Sequence, residues 1–170
     1  MIQLTQTSYV VLGLVEQAGE ATPYDLKQIV AATIANFFDI PHSQIYAEPE
    51  RLARAGYLSE RREQTGRRRK HYGVTAEGRR ALEEWLAHPT SDLYELRDPG
   101  LLQLAFGADD RTLARTQLEA HEARLADLRR MARTLEVANA PEGQRLVAEA
   151  GIGHEREYIR FWKRLLAASE

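Results

Sequence analysis

The sequence predicts a mainly α-helical fold, with a winged helix-turn-helix domain in its first half and a helical domain in its second half. Helix caps and chain breakers divide the first half into three helices, a β-hairpin and a fourth helix. Basic residues concentrate on that hairpin, which is the predicted two-stranded β wing. A heptad spacing of apolar residues predicts one long helix in the second half. We therefore place the two domains at residues 1–90 and 91–170.

The first two predicted helices begin and end at ordinary capping residues. The first has Thr7 or Ser8 as its cap and ends at Gly19. The second follows Thr22, a cap residue that precedes Pro23 at the first helical position, where proline is tolerated best.

The third predicted helix contains an irregularity. Ser43 can cap it, Ile45 faces inward, and Gly56 supplies a left-handed exit at its end. Pro49 lies between these ends and removes the amide that would bond to Ile45. The helix is therefore either kinked at Pro49 or becomes regular only near that residue.

The wing and the fourth helix follow directly. Residues 57–61 and 70–74 alternate as strands do, and Gly66 lies in the tip between them. Thr75 then caps a helix that stops near Pro89.

The second half contains a short apolar helix near residues 101–106 and then two long helices. Asp109 or Asp110 caps the first long helix, which runs to about Ala138. Its apolar seam has spacings of four and three. The seam residues are Ala114, Leu118, His121, Leu125, Leu128, Ala132 and Leu135.

The last helix, which runs to about Ala168, has apolar residues over so wide an arc that it needs two neighbours. One neighbour is the long helix of the same chain, and the other is the same element of a second chain in a two-fold dimer. The predicted dimer-interface residues are Leu118, Leu125, Leu128, Tyr158, Ile159, Trp162 and Leu166. Aromatic residues at such an interface also form a candidate effector pocket, composed of Tyr158, Phe161 and Trp162.

The distribution of charge locates a functional face. The whole chain has a net charge of −2, which by itself argues against nucleic acid as a partner. Residues 51–80, however, hold ten Lys and Arg against three acids, a net charge of +7, whereas residues 1–50 and 81–170 are both acidic. A single-sign cluster beside a helix-turn-helix indicates a DNA-binding surface.

The sequence contains no recognisable motif for catalysis or metal binding. The chain has no cysteine, its five histidines lack metal-ligand spacing, and no phosphate-binding glycine motif is present. We therefore predict no enzyme activity, no catalytic residue, no metal and no cofactor. No apolar run approaches the roughly 20 residues of a membrane span, and no secretory signal opens the chain. The expected location is the cytoplasm.

The predicted contacts with double-stranded DNA lie at the start of the third helix, along that helix and on the wing. They are His42, Ser43, Gln44, Tyr46, Arg51, Arg54, Thr65, Arg67, Arg68, Arg69, Lys70 and Tyr72. Gln44 has the donor and acceptor that adenine requires, whereas the arginines suit phosphate. Alternatives remain for four of them, because Ser43 can be a plain cap, Tyr46 a core residue, and Arg51 and Arg54 ion-pair partners. A competing interpretation of the wing is a module that binds an acidic protein partner.

Several segments of the chain share their residues and their order with a known family. In the first half these are residues 9–14 (YVVLGL), 23–26 (PYDL), 44–46 (QIY), 51–58 (RLARAGYL) and 69–78 (RKHYGVTAEG). They resemble the PadR family of transcriptional regulators, and residues 101–106 and 155–162 resemble its longer subgroup with a helical C-terminal domain. The resemblance implies a homodimeric repressor that binds an inverted-repeat operator and is released by a small, often aromatic, effector. Residues 47–50 depart from the family pattern, which keeps an unbroken helix there.

Overall fold

The computed structural model describes residues 2–34, 37–38, 40–65, 68–93 and 95–168. The chain divides into two compact units, Met1–Asp92 and Leu93–Glu170. The first unit contains α1 (Gln6–Ala18), α2 (Pro23–Thr33), α3 (His42–Arg54), β1 (Leu58–Arg62), β2 (Lys70–Val74) and α4 (Ala76–Leu86). The second unit contains α5 (Pro99–Ala105), α6 (Asp110–Val137) and α7 (Glu142–Ala168). The prediction of a mainly helical chain with a two-stranded wing is confirmed; Gly66 and Arg67, at the predicted wing tip, lie outside the described residues.

The cap of α1 differs from the prediction, whereas that of α2 confirms it. Thr5 caps α1, because its extended backbone lets its hydroxyl accept from the Ser8 amide while the Ser8 hydroxyl accepts from the Thr5 amide at 2.8 Å. The predicted cap at Thr7 or Ser8 is therefore wrong by a few residues. Thr22 forms the same reciprocal arrangement with Asp25 at the start of α2.

The α3 helix starts before the predicted cap and runs through its proline. Pro41 precedes the helix and its carbonyl accepts from the Gln44 amide at 2.9 Å, so Ser43 is not the cap. Pro49 is fully buried inside a continuous helix, and the alternative in which regular helix begins near Pro49 is wrong. Gly56, with φ +84°, provides the predicted left-handed exit.

The wing is anchored to the helices at its base. β1 and β2 are antiparallel, with Leu58 opposite Val74 and Arg62 opposite Lys70. Ala21, in the connection between α1 and α2, exchanges two backbone hydrogen bonds with Tyr72 at 3.0 and 2.9 Å. The base of the wing therefore has a third strand-like neighbour that fixes its position against the helices.

One apolar core joins the wing to the four helices of the first unit. Its fully buried members include Leu12 and Val15 of α1, Leu26 of α2, Leu52 of α3 and Tyr72 of β2. The contact between α4 and the segment before β1 is close, because a Cβ on Gly78 would lie 2.1 Å from the Tyr57 carbonyl oxygen. Thr75 caps α4, as predicted.

The second unit is built on two long helices that run in opposite directions. Asp109 caps α6, one of the two predicted alternatives, and the helix ends at Val137 as expected. Contacts between α6 and α7 include Leu128 against Gly151 and an ion pair between Glu122 and Lys163. Within the described part of the chain, no helix combines the length and apolar character needed to cross a membrane.

Candidate nucleic-acid interface

The start of α3 presents an exposed polar face on a buried support. His42, Ser43 and Gln44 are exposed, and Tyr46 is 47% exposed. Ile45, on the opposite side of the same turn, is buried in the core of the first unit. The alternatives of a capping Ser43 and a core Tyr46 are therefore wrong. The four side chains face solvent, where they can reach a groove, and the helix backbone beneath them is held by packing.

Arg51 does not share this exposed role. Its Nε donates to Glu48 Oε2 at 2.8 Å, and its Nη2 donates to Glu48 Oε1 at 2.6 Å and to Ser8 Oγ at 2.9 Å. Its Nη1 donates to the Gln3 carbonyl at 3.2 Å. This guanidinium joins α1 to α3, which favours the alternative ion-pair role, and the prediction of Arg51 as a DNA contact stays a prediction. Arg54, one turn further, remains exposed.

Glu48 is the centre of this contact, which we call the α1–α3 brace (Ser8, Glu48 and Arg51). Ser8 is fully buried, and its hydroxyl donates to Glu48 Oε1 at 2.6 Å. Burial raises the pKa of Glu48, but hydrogen bonds from Arg51 and Ser8 outweigh it and hold the pKa below its ordinary value. The brace is therefore a charged contact that positions α3 relative to α1.

Most cations on the stem of the wing are paired with acids of the same unit. Arg61 makes two hydrogen bonds to Glu20, at 3.1 and 2.6 Å. Lys70 lies 3.2 Å from Glu60 and 3.5 Å from Glu50 of α3. Other stem pairs are Arg62 with Glu60, and His71 with Glu63 and Glu20. The predicted contact Lys70 therefore lies in an internal cluster of charges and is only partly exposed.

The tip of the wing is different. Thr65, Arg68 and Arg69 are exposed, and Arg68 adopts a left-handed conformation with φ +49°. Among the residues that the structure describes, neither Arg68 nor Arg69 has its guanidinium in an ion pair. Arg67, the third predicted tip cation, lies outside the described residues. The cations available for phosphate on the described wing therefore lie near its tip.

Tyr72 is not a DNA contact. It is 1% exposed, and its hydroxyl donates to Glu60 at 3.3 Å. Burial, reinforced by the charge of Glu60, raises the pKa of Tyr72 to about 12. The side chain packs the wing onto the core, and the prediction is corrected accordingly.

Three predicted dimer-interface residues lie inside the second unit. Leu125 and Leu128 are buried among the chain's own helices, and Trp162 is completely buried against Leu113 and Ala114. These residues already have partners within the chain, so they cannot form an accessible interface. The remaining predicted interface residues, Leu118, Tyr158, Ile159 and Leu166, are partly exposed.

A small cavity in the second unit contains one of the three residues of the predicted effector pocket. It has a volume of about 290 Å³. Its lining residues are Leu96, Arg97, Asp98, Pro99, Gln117, His121, His154 and Tyr158. Of the predicted pocket residues only Tyr158 lines it, because Trp162 is completely buried and Phe161 packs in the core of the unit.

The aromatic rings of this cavity contact one another, and a buried carboxylate binds one of them. The Tyr158 ring centroid lies 4.6 Å from that of His154 and 4.8 Å from that of His121. The buried Glu155 carboxylate lies 2.6 Å from His121 Nδ1 and 3.1 Å from Arg124 Nε. The cavity therefore combines flat aromatic faces with hydrogen-bonding groups.

Two elements of the site were missed by sequence reasoning. Thr7 donates to the Gln44 side chain from 37 positions away, and Glu20 neutralises Arg61 from 41 positions away. No local pattern marks such pairs. The Glu48 to Arg51 pair, by contrast, has the three-residue spacing typical of helical ion pairs and was open to prediction.

Comparison with known proteins gives matches to both halves of the chain. Residues 11–84 match the transcriptional regulator PadR-like family, and residues 96–170 match the virulence activator alpha C-terminal family. The negative transcriptional regulator PadR of Bacillus subtilis (strain 168) is 26% identical over 173 residues, which cover 94% of each chain.

Several solved structures are similar to this chain over nearly its full length. The crystal structure of Bacillus subtilis PadR in complex with operator DNA has a TM-score of 0.86 at 25% identity, covering 99% of this chain and 100% of that one. A structure of the same protein with p-coumaric acid has a TM-score of 0.79 at 24% identity, covering 98% of each. The PadR-like regulator BC1756 of Bacillus cereus has a TM-score of 0.83 at 26% identity, covering 97% and 100%. Residues 11–84 therefore form a PadR-like domain, and over nearly its whole length the chain is similar to PadR-like transcriptional regulators.

Proposed function

We propose that this chain is a repressor that binds an inverted-repeat operator as a homodimer. The carrying observation is the exposed polar face of α3, formed by His42, Ser43, Gln44 and Tyr46 over a buried support. A helix of this kind reads base edges in the major groove. The related Bacillus subtilis PadR, a negative regulator, has been solved with operator DNA, which supports the same role here.

The wing supplies contacts that do not depend on sequence. Arg68 and Arg69 reach the phosphate backbone beside the adjacent minor groove, and exposed Thr65 lies beside them. Phosphate contacts fix register, whereas the α3 side chains supply specificity. The activity is one of binding, and it takes place in the cytoplasm, where the operator is located.

The test is a footprint on the promoter of the chain's own operon, with unrelated duplex DNA as competitor. We expect protection of two half-sites about one helical turn apart, with two chains bound. Inserting about five base pairs between the half-sites places them on opposite faces of the duplex, so affinity should fall sharply. Equal binding to unrelated DNA, or absence of protection, would instead favour the module that binds an acidic protein.

For the homodimer, we propose that partly exposed residues of α7 form part of the interface. Ile159 is partly exposed and is not among the residues packed on the Trp162 core, whereas Leu166 is partly exposed at the edge of that core. Ile159→Asp should yield monomer in sedimentation. The control is Val137→Asp, at an 89% exposed position at the end of α6, which should remain dimeric. A dimeric Ile159→Asp would place the interface elsewhere, for example around exposed Phe106.

We also propose that a small planar aromatic acid binds in the cavity of the second unit and releases the operator. The volume of 290 Å³ lies at the small end of ligand pockets, which suits a single ring. The aromatic faces of Tyr158 and His154 suit that ring, and Arg97 can turn from its exposed ion pair with Glu95 to the carboxylate of the ligand.

The effector proposal is tested with p-coumaric acid as the probe. It should release the wild-type chain from its operator, and His154→Ala should need a higher concentration while keeping its DNA affinity. His88→Ala is the matched control, because His88 is exposed at the end of α4 in the first unit. Release of the His154→Ala variant at the wild-type concentration would contradict this site.

A further inference from the structure

A side chain of α1 contacts the proposed base-reading residue of α3. The Thr7 hydroxyl donates a hydrogen bond to Gln44 Oε1 at 3.1 Å. Both residues line a cleft of about 610 Å³ between the starts of the two helices. Thr7 takes no part in the cap of α1, which is formed by Thr5 and Ser8. Its hydroxyl is therefore not required for the helix to begin.

Thr7 is held in a fixed place relative to α3. Its neighbour Ser8 is completely buried and belongs to the α1–α3 brace, in which Glu48 and Arg51 bind the Ser8 hydroxyl. Since the brace fixes the first turn of α1 against α3, the Thr7 hydroxyl approaches Gln44 from a defined direction. The contact is thus a local consequence of how the two helices pack.

The contact determines where Gln44 can place its amide against a base. A glutamine amide can turn by half a rotation and so exchange its acceptor oxygen for its donor nitrogen. The Thr7 hydroxyl donates to Oε1 here and can accept from Nε2 after such a turn, so it holds the amide in place in either orientation. A carbonyl oxygen has two acceptor positions, so Oε1 can accept from Thr7 and from a base amino group together.

This placement suits adenine and opposes guanine. Adenine presents an N6 donor and an N7 acceptor in the major groove, which match Oε1 and Nε2 of a glutamine amide in one of its two orientations. Guanine presents two acceptors, O6 and N7, so an amide held against its edge would face an acceptor with Oε1 in either orientation.

We propose that Thr7 is a positioning residue for base recognition, which fixes the Gln44 amide and thereby selects adenine over guanine at one position of each half-site. The inference rests on the proposed function, since it requires that α3 reads an operator. It adds the first turn of α1 to the specificity-determining part of the protein.

The experiment measures affinity for a panel of operators, each with one base pair changed symmetrically in both half-sites. Gln44→Ala identifies the position that Gln44 reads, because preference for adenine disappears there. Thr7→Val retains the shape and removes the hydroxyl, and we expect it to reduce that same preference about two- to tenfold, the usual effect of one neutral hydrogen bond. Thr7→Ser keeps the hydroxyl and should restore the wild-type preference. The other positions and the salt dependence should not change.

A purely structural role of Thr7 would produce a different pattern. Thr7→Val would then lower affinity evenly at every operator position, or lower the melting temperature of the protein, and the proposal would be overturned. It would also fail if Thr7→Val left the preference for adenine unchanged, or if Gln44→Ala abolished the base preference at none of the operator positions. Failure of the proposed function is separate, because the wild-type chain itself would then show no preference for any operator.

Discussion

Removal of the tip cations of the wing should reduce the salt dependence of operator binding. Each phosphate contact releases counterions and contributes about 0.9 to the slope of log affinity against log salt. Arg68 and Arg69 are exposed and neither guanidinium forms an ion pair among the described residues, although the Arg69 backbone amide donates to Glu63 Oε2 at 3.2 Å and its charge acts on that carboxylate. If both contact phosphate, Arg68→Ala combined with Arg69→Ala lowers the slope by roughly 1.8.

This slope corresponds to a measurable change in affinity. Between about 50 and about 200 mM salt, the wild-type chain should lose roughly 12-fold more affinity than the double variant. Fluorescence anisotropy of a labelled operator across a salt series measures both slopes. The charge-matched control combines Arg129→Ala with Arg133→Ala, at exposed positions of α6, and should leave the slope unchanged.

Arg61 provides the comparison that tests the reasoning about internal pairing. Its guanidinium is bound to Glu20 through two hydrogen bonds, so it must leave that carboxylate before it can bind phosphate. Arg61→Ala should therefore change the slope by much less than half of the effect of the tip variant. An equal effect per arginine, or an unchanged slope in the tip variant, would refute the distinction between tip and stem.

Three further outcomes concern stability. The pKa of Glu48 is held below its ordinary value of 4.5 in the folded state. The stability that its pairing with Arg51 contributes should therefore be complete above pH 4.5 and be lost as the pH falls through the lowered pKa. Urea denaturation across this pH range should show a smaller loss of stability for Glu48→Gln than for the wild-type chain. Gly78→Ala should destabilise the first unit by about 1–3 kcal/mol in the same assay, because its Cβ would press on the Tyr57 carbonyl. Trp162→Ala should lower the stability of the second unit by about 3–5 kcal/mol in calorimetry, whereas a wild-type transition would contradict its place in that core.

Local rules predicted the elements well, because their causes lie within a few residues. Thr22, Thr75 and Asp109 act as caps where the sequence indicates them, since a cap needs only its own side chain and an amide three residues later. The α1 cap was missed because several hydroxyl residues follow one another, and only the extended backbone at Thr5 distinguishes it from Thr7.

The outcome was different for residues whose role depends on distant partners. Alternation in β2 shows that Tyr72 and its neighbours face opposite sides, but not which side is covered by Ala21 and the helices. The width of the apolar arc on α7 likewise shows that two neighbours are needed, but not that Trp162 faces the inner one. The predicted strand and helix patterns were therefore correct, but Tyr72 and Trp162 were predicted to be accessible and are buried.

The pairing of the wing stem changes the meaning of the positive segment. Residues 51–80 have a net charge of +7, yet Glu20 and Glu50, from outside that segment, neutralise Arg61 and Lys70 within the fold. A paired cation contributes to DNA binding only after its pair is broken, so the affinity for arbitrary DNA rests mainly on the few cations near the tip. When sequence-independent affinity is limited in this way, a larger share of the total comes from the base contacts of α3. The acids around the wing thus favour discrimination between operator and other DNA, and we propose that the amide of Gln44 makes that discrimination specific.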